Sequence, residues 1–223
     1  MQTETENSIL SQLDLDRFFE LSDKSYDLEA GTAFNKGQTR IIYLPEDAIS
    51  GIHASLKEET GPAWKLILKN CGLIWGKKVA ANLSRELQMI FSVTQGDVTA
   101  KECLELLERY FSEHGWGKMS FDVSKAFSHG FIHAKLENSI FVSVLSDEND
   151  YVDPIISGIL SSLFGDLSGK ELDAIEIACA ARGAPHCEFV ISSAERIADL
   201  EDMVEEGNSS EELIEALCQS SPQ

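Results

Sequence analysis

The chain has 223 residues, and the 43% that are hydrophobic suffice for one large domain or two small ones around a buried core. Its 18 basic and 38 acidic side chains give a formal net charge of −20. So acidic a surface repels phosphate backbones, and no apolar run approaches the roughly 20 residues that cross a bilayer. We therefore expect neither a nucleic-acid partner nor a transmembrane segment.

The acidic residues are concentrated at the two ends of the chain. Residues 1–30 carry eight acidic and two basic side chains, and residues 195–223 carry nine acidic side chains and one basic one. The polar start lacks the basic and apolar segments of a secretory signal, which favours a cytoplasmic protein. We divide the chain into an acidic N-terminal extension with a short helix (1–34), a central domain (35–193) and acidic C-terminal helices (194–223).

The first half of the chain is predicted to be mainly helical. The predicted elements are a short strand over 40–44 and helices over 45–59, 64–90 and 99–114. In the longest of these helices, Gly72 and Gly76 leave a stripe without side chains. Such a stripe suits either tight packing against another helix or the approach of a flat ligand, and helix packing is the more common use.

The second half is predicted to contain the sheet. We expect strands over 119–124, 130–136 and 139–145, a helix over 154–165, a hairpin of strands over 172–178 and 187–191, and then acidic helices. Helices come first, strands cluster later, and no regular βαβ alternation is present. The pattern therefore predicts an α+β fold in which helices pack on an antiparallel sheet.

The usual signatures of catalysis are missing from the sequence. There is no Gly-x-Ser-x-Gly, no phosphate-binding Gly-x-x-x-x-Gly-Lys-Ser/Thr, no Gly-x-Gly-x-x-Gly and no His-Glu-x-x-His. Acidic residues are too numerous for a catalytic pair to be chosen by pattern. These observations favour a binding protein over an enzyme.

One group of residues has the spacing of a metal site. The five cysteines are an odd number and widely scattered, which favours reduced thiols or metal ligands over disulfides. Cys179 and Cys187 flank the predicted hairpin turn, with Glu176 just before it, and all three are zinc-ligand types. On an ideal strand Glu176 and Cys179 face opposite ways, so a bulge or the start of the turn is needed. The alternative is that both thiols are small buried hydrophobes.

The same segment resembles the 4-vinyl reductase domain family. The resemblance rests on 158–161 (Gly-Ile-Leu-Ser), Gly165, Glu176, Cys179, the Arg182-Gly183 turn, Cys187 and Phe189, with weaker support from 40–45 and 72–76. It covers about residues 35–193, so the central domain is interpreted as a 4-vinyl reductase-like domain. The resemblance implies a fold similar to that of the vesicle-tethering TRAPP subunits, an α+β ligand-binding unit that commonly dimerises. We therefore expect a homodimer.

The resemblance also implies a zinc site. In the aromatic-sensing members of the family a glutamate, two cysteines in this spacing and an earlier cysteine hold the ion, and Glu176, Cys179 and Cys187 correspond to three of these ligands. No cysteine lies between Cys103 and Cys179. The fourth donor could instead be one of several residues, or the site could be empty; the candidates are Asp147, Glu148, Asp150, Asp153 and His186.

A ligand pocket is the other implication of the resemblance. His129, Phe131 and His133 alternate along a predicted strand and so share one face, where imidazole could ligate a tetrapyrrole metal and Phe131 could stack on its ring. Trp75, beside the glycine stripe, is a second candidate wall. The alternative interpretation is that these side chains belong to the core or face solvent.

The family includes proteins linked to bacteriochlorophyll vinyl reduction, sensors of phenols and related aromatics, and cyanobacterial proteins implicated in photosystem assembly. By this resemblance we expect a non-catalytic protein that binds chlorophyll, a precursor or a similar hydrophobic ring. It would act with photosystem II assembly proteins, in the cytoplasm or peripherally at the thylakoid membrane. The alternatives are a subunit of a tetrapyrrole vinyl reductase and a stand-alone sensor of small aromatic compounds.

Overall fold

Helices cover both faces of a four-stranded antiparallel sheet in the computed structural model, which describes residues 24–35, 38–94 and 97–220. The strands are β1 (Ser25–Asp27), β2 (Thr32–Phe34), β3 (Arg40–Ile41), β4 (Lys118–Asp122), β5 (Ile132–Glu137), β6 (Leu172–Ala178) and β7 (Cys187–Ser193). The helices are α1 (Glu46–Thr60), α2 (Trp64–Phe91), α3 (Ala100–Glu113), α4 (Ala126–His129), α5 (Ile140–Leu145), α6 (Pro154–Ser168), α7 (Ala194–Glu205) and α8 (Ser210–Gln219). The α+β prediction is confirmed.

The four-stranded sheet has the order β4-β5-β7-β6, with every neighbouring pair antiparallel. Phe189 at its centre pairs with Ala134 on one side and with Glu176 on the other. Strand β6 forms one edge of this sheet. Strands β1 to β3 make a separate small antiparallel sheet near the start of the described chain.

Helices α2 and α6 cross at close range over the inner face of the sheet. A methyl group on Gly72 would lie 2.1 Å from the carbonyl oxygen of Ile155, and one on Gly158 would lie 2.0 Å from that of Lys69. Only glycine allows two backbones to approach so closely. Tight helix packing is therefore the use that the structure makes of the Gly72 and Gly76 stripe.

The acidic helices α7 and α8 cover the outer face of the sheet. Their apolar side chains form a second core with sheet residues such as Phe131 and Val190. Arg196 of α7 is 7% exposed and donates hydrogen bonds to the carbonyl oxygens of His129 and Leu217. The C-terminal segment is thus joined to the sheet by both apolar packing and a buried guanidinium.

Most of the predicted helices are confirmed with small shifts at their ends. Helix α1 ends at Thr60, α2 at Phe91 and α3 at Glu113, and Thr99 begins α3 with a reciprocal capping box. The predicted strand over 40–44 is shorter, since β3 has two residues. The helix predicted within residues 1–34 lies outside the described residues. No helix of the described chain combines the length and apolarity that a membrane crossing requires.

The predicted strand over 139–145 is wrong, because this segment is helix α5. Asn138 adopts a positive φ of 55° and ends β5, and the Ser139 side chain then accepts a hydrogen bond from the backbone N–H of Phe141. Phe141 and Leu145, four residues apart, are the buried side chains of the helix. An apolar run of this length fits a short helix or a strand equally well, so its period does not distinguish them.

Two other boundaries also differ from the prediction. Strand β5 begins at Ile132 rather than at Gly130, because α4 and its left-handed cap at Gly130 occupy the preceding residues. Helix α6 continues through Gly165 and ends at Gly169, which has a φ of 65°. The hairpin of β6 and β7 is confirmed.

The contact between α2 and α6 can be tested with matched glycine substitutions. Gly158→Ala would force its new methyl group against the backbone of α2, and such overpacking costs roughly 1–3 kcal/mol of unfolding free energy. Gly51→Ala in α1 has nothing within 4 Å of the added carbon and should stabilise by about 0.5–1 kcal/mol. Urea unfolding of the two variants measures the contrast, and equal stabilities would contradict the close approach.

Candidate metal centre and adjacent groove

Four buried side chains converge where the start of α6 meets the hairpin of β6 and β7. They are Asp153, Glu176, Cys179 and Cys187, and one ligand atom from each lies within 4.8 Å of the ligand atoms of all the others. None of the four residues is more than 4% exposed. The three donors expected from the sequence are thus brought together, and Asp153 is the fourth.

Asp153 reaches the cluster because it immediately precedes helix α6. An aspartate in this position usually accepts hydrogen bonds from the first turn of its own helix. The Asp153 side chain makes no such bond, and its Oδ1 instead accepts a hydrogen bond of 2.6 Å from the hydroxyl of Ser139. The helix start thereby directs a carboxylate into the protein instead of capping itself.

Glu176 and the two cysteines reach the cluster because of local irregularities in the hairpin. A register shift between Glu176 and Ala178 is the bulge that the odd spacing requires. A single 3-10 turn at Ala180–Arg182 then follows Cys179, and Gly183 continues with a φ of 92°. Cys187 begins β7, and its Sγ lies 3.9 Å from the Sγ of Cys179.

The electrostatics of the cluster favour a cation. The described ion pairs include neither Asp153 nor Glu176, and one oxygen of each carboxylate, Asp153 Oδ2 and Glu176 Oε1, has no hydrogen-bond partner among the described residues. Burial raises the pKa of Asp153 to about 6. Burial, and then the charge of Asp153, raises the pKa of Glu176 well above its usual range.

The two thiols influence each other. The hydrogen bond from Cys187 lowers the pKa of Cys179 to about 6, and the same bond, together with burial, raises the pKa of Cys187. A thiolate beside two buried carboxyl groups leaves negative charge with no basic partner among the described ion pairs. Such a group is stabilised by protonation or by a bound cation.

The donor set fits zinc in type and in spacing. Thiolates and carboxylates are common zinc ligands, and a Zn–S distance of about 2.3 Å places two sulfurs of a tetrahedron about 3.8 Å apart. The observed Sγ–Sγ distance of 3.9 Å is close to this value. Ser139 and the backbone N–H of Asp153, which donates to Glu176 Oε2 at 3.0 Å, hold both carboxylates in position.

The other candidates for the fourth donor point elsewhere or lie outside the described side chains. Glu148 pairs with Lys57, Asp150 pairs with Lys65, and His186 Nε2 lies 2.8 Å from Glu188. The side chain of Asp147 is outside the described part of the structure. Asp153 is therefore the acid that completes the group.

A surface groove of about 580 Å³ lies beside the cluster. Its lining includes residues near the start of α2, the loop before α6, the edge strand β6, the hairpin turn and α7; those that matter below are Lys65, Leu66, Lys69, Tyr151, Glu176, Arg182, Glu201 and Glu205. Glu176 belongs to both the groove and the cluster. A molecule in the groove would therefore lie against the proposed metal site.

The protein interior offers far less space. A second cavity between α2, α3 and α6 has a volume of only about 20 Å³, and its lining is mainly apolar, with Leu87, Leu107 and Leu163 as examples. This space holds about one water molecule. Without movement of these helices, an organic ring does not fit there.

The four side chains predicted to contact a ligand do not line the groove. His129 belongs to helix α4 rather than to the predicted strand, which corrects the proposed alternation at that position. Phe131 is buried in the outer core, and His133 Nε2 lies 3.0 Å from Glu188 Oε2. Trp75 is 42% exposed and packs edge-on against Trp116, with ring centres 4.3 Å apart. Their role as ligand contacts stays a prediction.

Comparison with known proteins agrees with this architecture. Residues 132–193 match the model of the vinyl-4-reductase domain family, and this segment holds all four donors of the cluster. The chain is also similar to the phenol-responsive sensory domain of the transcription activator PoxR, solved with phenol. The TM-score is 0.64 at 17% identity, and the match covers 94% of this chain and 99% of that one. At this identity the likeness establishes the fold.

Two more solved structures are similar over about two thirds of the chain. One is a trafficking protein particle complex subunit 3 from Naegleria fowleri covalently bound to palmitic acid, with 11% identity, a TM-score of 0.49 and coverage of 66% of this chain and 93% of that one. The other is a vinyl-4-reductase family protein from Methanocaldococcus jannaschii, with 16% identity, a TM-score of 0.45 and coverage of 68% and 83%. No curated protein sequence matches the chain.

Sequence reasoning missed the groove and its polar residues. Tyr151 and Arg182 lie 31 positions apart in the printed sequence, and they meet only because the loop before α6 folds over the hairpin turn. No local period indicates such a contact. Only the Arg-Gly dipeptide within the family resemblance marked one of them.

The metal-free protein should lose stability as the pH rises. A carboxyl group whose pKa is raised in the folded state stabilises the fold at pH values below its unfolded pKa of about 4. For Asp153 that contribution disappears as the pH rises through the folded pKa of about 6. The loss is roughly 1.4 kcal/mol for each pH unit that separates the folded and unfolded values.

Thermal unfolding in the presence of a chelator should therefore show declining stability between about pH 4 and 6 for the native sequence. Asp153→Asn should flatten part of this decline, whereas Asp166→Asn, an exposed site on the same helix, should not. Parallel curves for the native protein and Asp153→Asn would contradict the assignment.

Proposed function

We propose that the chain is a zinc-stabilised binding domain that holds a hydrophobic ring compound in the groove and has no catalytic role of its own. The observation that carries this proposal is the buried four-donor cluster directly beneath a groove with which it shares Glu176. The match of residues 132–193 to the vinyl-4-reductase domain family supports it.

The zinc ion would have a structural role. Four protein donors fill a tetrahedral site, whereas catalytic zinc sites keep one position for water or substrate. The four donors come from the start of α6, from β6 and from both ends of the hairpin turn. An ion held by them would fix the floor of the groove.

Zinc content can be measured directly on protein purified under reducing conditions. We expect about one zinc ion per chain, and a large loss of zinc in Cys179→Ser and Cys187→Ser. Removal of the ion should also destabilise the fold, by about 4 kcal/mol where free zinc had been roughly 1,000-fold above its dissociation constant.

The matched control is Cys71→Ser, because Cys71 is exposed on α2 and outside the cluster. This variant should keep its zinc and its stability. Native protein that takes up no zinc after reduction and refolding with the metal would overturn the metal assignment.

A tetrapyrrole such as chlorophyll or a precursor is the ligand that we propose for the groove. Its volume of about 580 Å³ lies within the range of roughly 300–1,000 Å³ that is typical of small-molecule sites, whereas the interior cavity admits no ring. Tyr151 supplies an aromatic side chain, and Leu66 is 62% exposed beside it in the lining. The groove opens to the surface, which suits a carrier that takes up and releases a flat molecule.

The biological setting that we propose is an accessory role in photosystem II assembly. The protein would act in the cytoplasm, with peripheral contact at the thylakoid membrane, and would meet basic surfaces of assembly proteins through its acidic exterior. The family resemblance supports this setting. A role as a subunit of a vinyl reductase would use the same groove, with the reductant supplied by a partner.

A sensor of small aromatic compounds is the second candidate function. The fold likeness to the phenol-responsive domain of PoxR extends over 94% of the chain, and the small interior cavity is lined mainly by apolar side chains. In this case a phenolic ligand would bind inside the domain after the helices around the cavity separate.

The two functions predict different results in one titration. Chlorophyllide added to the zinc-loaded protein should shift its absorption band, and Leu66→Glu should weaken binding because it places a charge beside the ring. Ile74→Glu, at an equally exposed position of α2 outside the groove, is the control. Phenol that binds unchanged in Leu66→Glu, with no band shift by chlorophyllide, would support the sensor and contradict the carrier.

Homodimer formation is also part of the proposal. Large apolar side chains are exposed on the segment after β3 and on α1 and α2, with Ile42, Tyr43, Ile52 and Ile74 each more than half exposed. Contiguous exposed apolar surface commonly marks an interface. A second copy of the chain would cover it.

A further inference from the structure

Arg182 is the one cation of the groove lining, as far as the structure describes it, that has no acidic partner. Lys65 Nζ lies 2.6 Å from Asp150 Oδ1, and Lys69 Nζ lies 2.8 Å from Asp173 Oδ2. Arg182 forms no ion pair with a described carboxylate, although two glutamates of α7 line the same groove.

The position of Arg182 is set by the turn that carries the metal cluster. Its backbone N–H donates to the carbonyl oxygen of Cys179 at 3.0 Å, and Gly183 follows in a left-handed conformation that glycine adopts without strain. The root of the side chain is therefore tied to a buried ligand of the proposed zinc ion.

The guanidinium group of Arg182 is oriented by Tyr151. Its central carbon lies 4.4 Å from the centre of the Tyr151 ring, and the two side chains also share a hydrogen bond. Stacking occupies the face of the planar group and leaves most of its five N–H donors free at the edge. Because the group is already held, less side-chain entropy is lost when an anion binds.

We propose that Arg182 binds a carboxylate group of the molecule held in the groove. This inference rests on the proposed function and names the class of ligand: a hydrophobic ring compound that carries a carboxylate substituent. The edge of a guanidinium matches the two oxygens of a carboxylate, and such bidentate pairs fix orientation as well as affinity.

The charges of the groove also indicate how such a ligand is oriented. Glu201 and Glu205 on α7 repel a carboxylate, while Lys65 and Lys69 are already engaged by acids of the protein. The carboxylate would therefore point to the hairpin turn at Arg182. The ring would extend along Tyr151 towards Leu66.

Binding of a porphyrin with free carboxylates and of its methyl ester tests this inference. Protoporphyrin IX and its dimethyl ester have the same ring, so their affinities for the zinc-loaded full chain isolate the contribution of the carboxylates. We expect the free acid to bind about tenfold more tightly, as one charge-assisted hydrogen-bonded pair at a partly exposed site would provide.

Substitutions assign the preference to one residue. Arg182→Gln should bring the affinity of the acid down to that of the ester, and Arg182→Lys should keep part of the difference because it retains charge but not the planar fork. Lys65→Gln, which removes a cation of the same groove, should leave the preference intact. Zinc content must be unchanged in all three variants.

The outcomes separate this inference from the function beneath it. Equal binding of acid and ester by the native protein, or an unchanged preference in Arg182→Gln, overturns the role of Arg182 while the groove remains a binding site. If neither porphyrin binds, 4-hydroxybenzoate and its methyl ester provide the same comparison for a small aromatic. Failure of all four compounds to bind overturns both the inference and the proposed function.

Discussion

The cost of burying four acidic donors in one small volume governs this structure. Asp153, Glu176, Cys179 and Cys187 are nearly inaccessible to solvent, and the described ion pairs bring no basic side chain to the two carboxyl groups. Apolar residues at these positions would pack without such a penalty. The arrangement becomes favourable when a divalent cation replaces the protons, and the α6 start and the hairpin then form one unit.

The location of free space in the domain follows from its packing. Helices α2 and α6 touch through glycine, and leucines fill the region between them and α3, so the interior has no room for a ring. The groove forms outside this core, along the edge strand β6, where the sheet has no further strand. A carrier of a large flat ligand would therefore bind it at the surface, while a sensor of a small aromatic would have to open the core.

Features that depend on local pattern were predictable from the sequence. The apolar steps of α2, the capping signal at Thr99 and the alternating residues of β6 and β7 each indicate their own element. Three of the four donors followed from spacing around one turn. The fourth did not, because the segment before Pro154 contains several acids and only the direction of α6 selects Asp153.

Features that depend on tertiary contact could not be read in this way. The run at 139–145 is apolar throughout most of its length, so the left-handed Asn138 and the cap at Ser139 decided its structure. Likewise, the groove is assembled from segments that are distant in sequence. Phe131 and His133 are separated from it because their strand faces the α7 and α8 layer.

The C-terminal helix has a consequence for how the chain can be shortened. Arg196 donates to the Leu217 carbonyl oxygen and to the Ser220 hydroxyl, and it also holds the end of α4 through His129. Composition alone marks the last turn of α8 as dispensable, because the segment is acidic and close to the terminus. Trimming it would in fact strand a buried positive charge beneath the sheet, so expression boundaries and protease sites belong after Ser220 rather than before it.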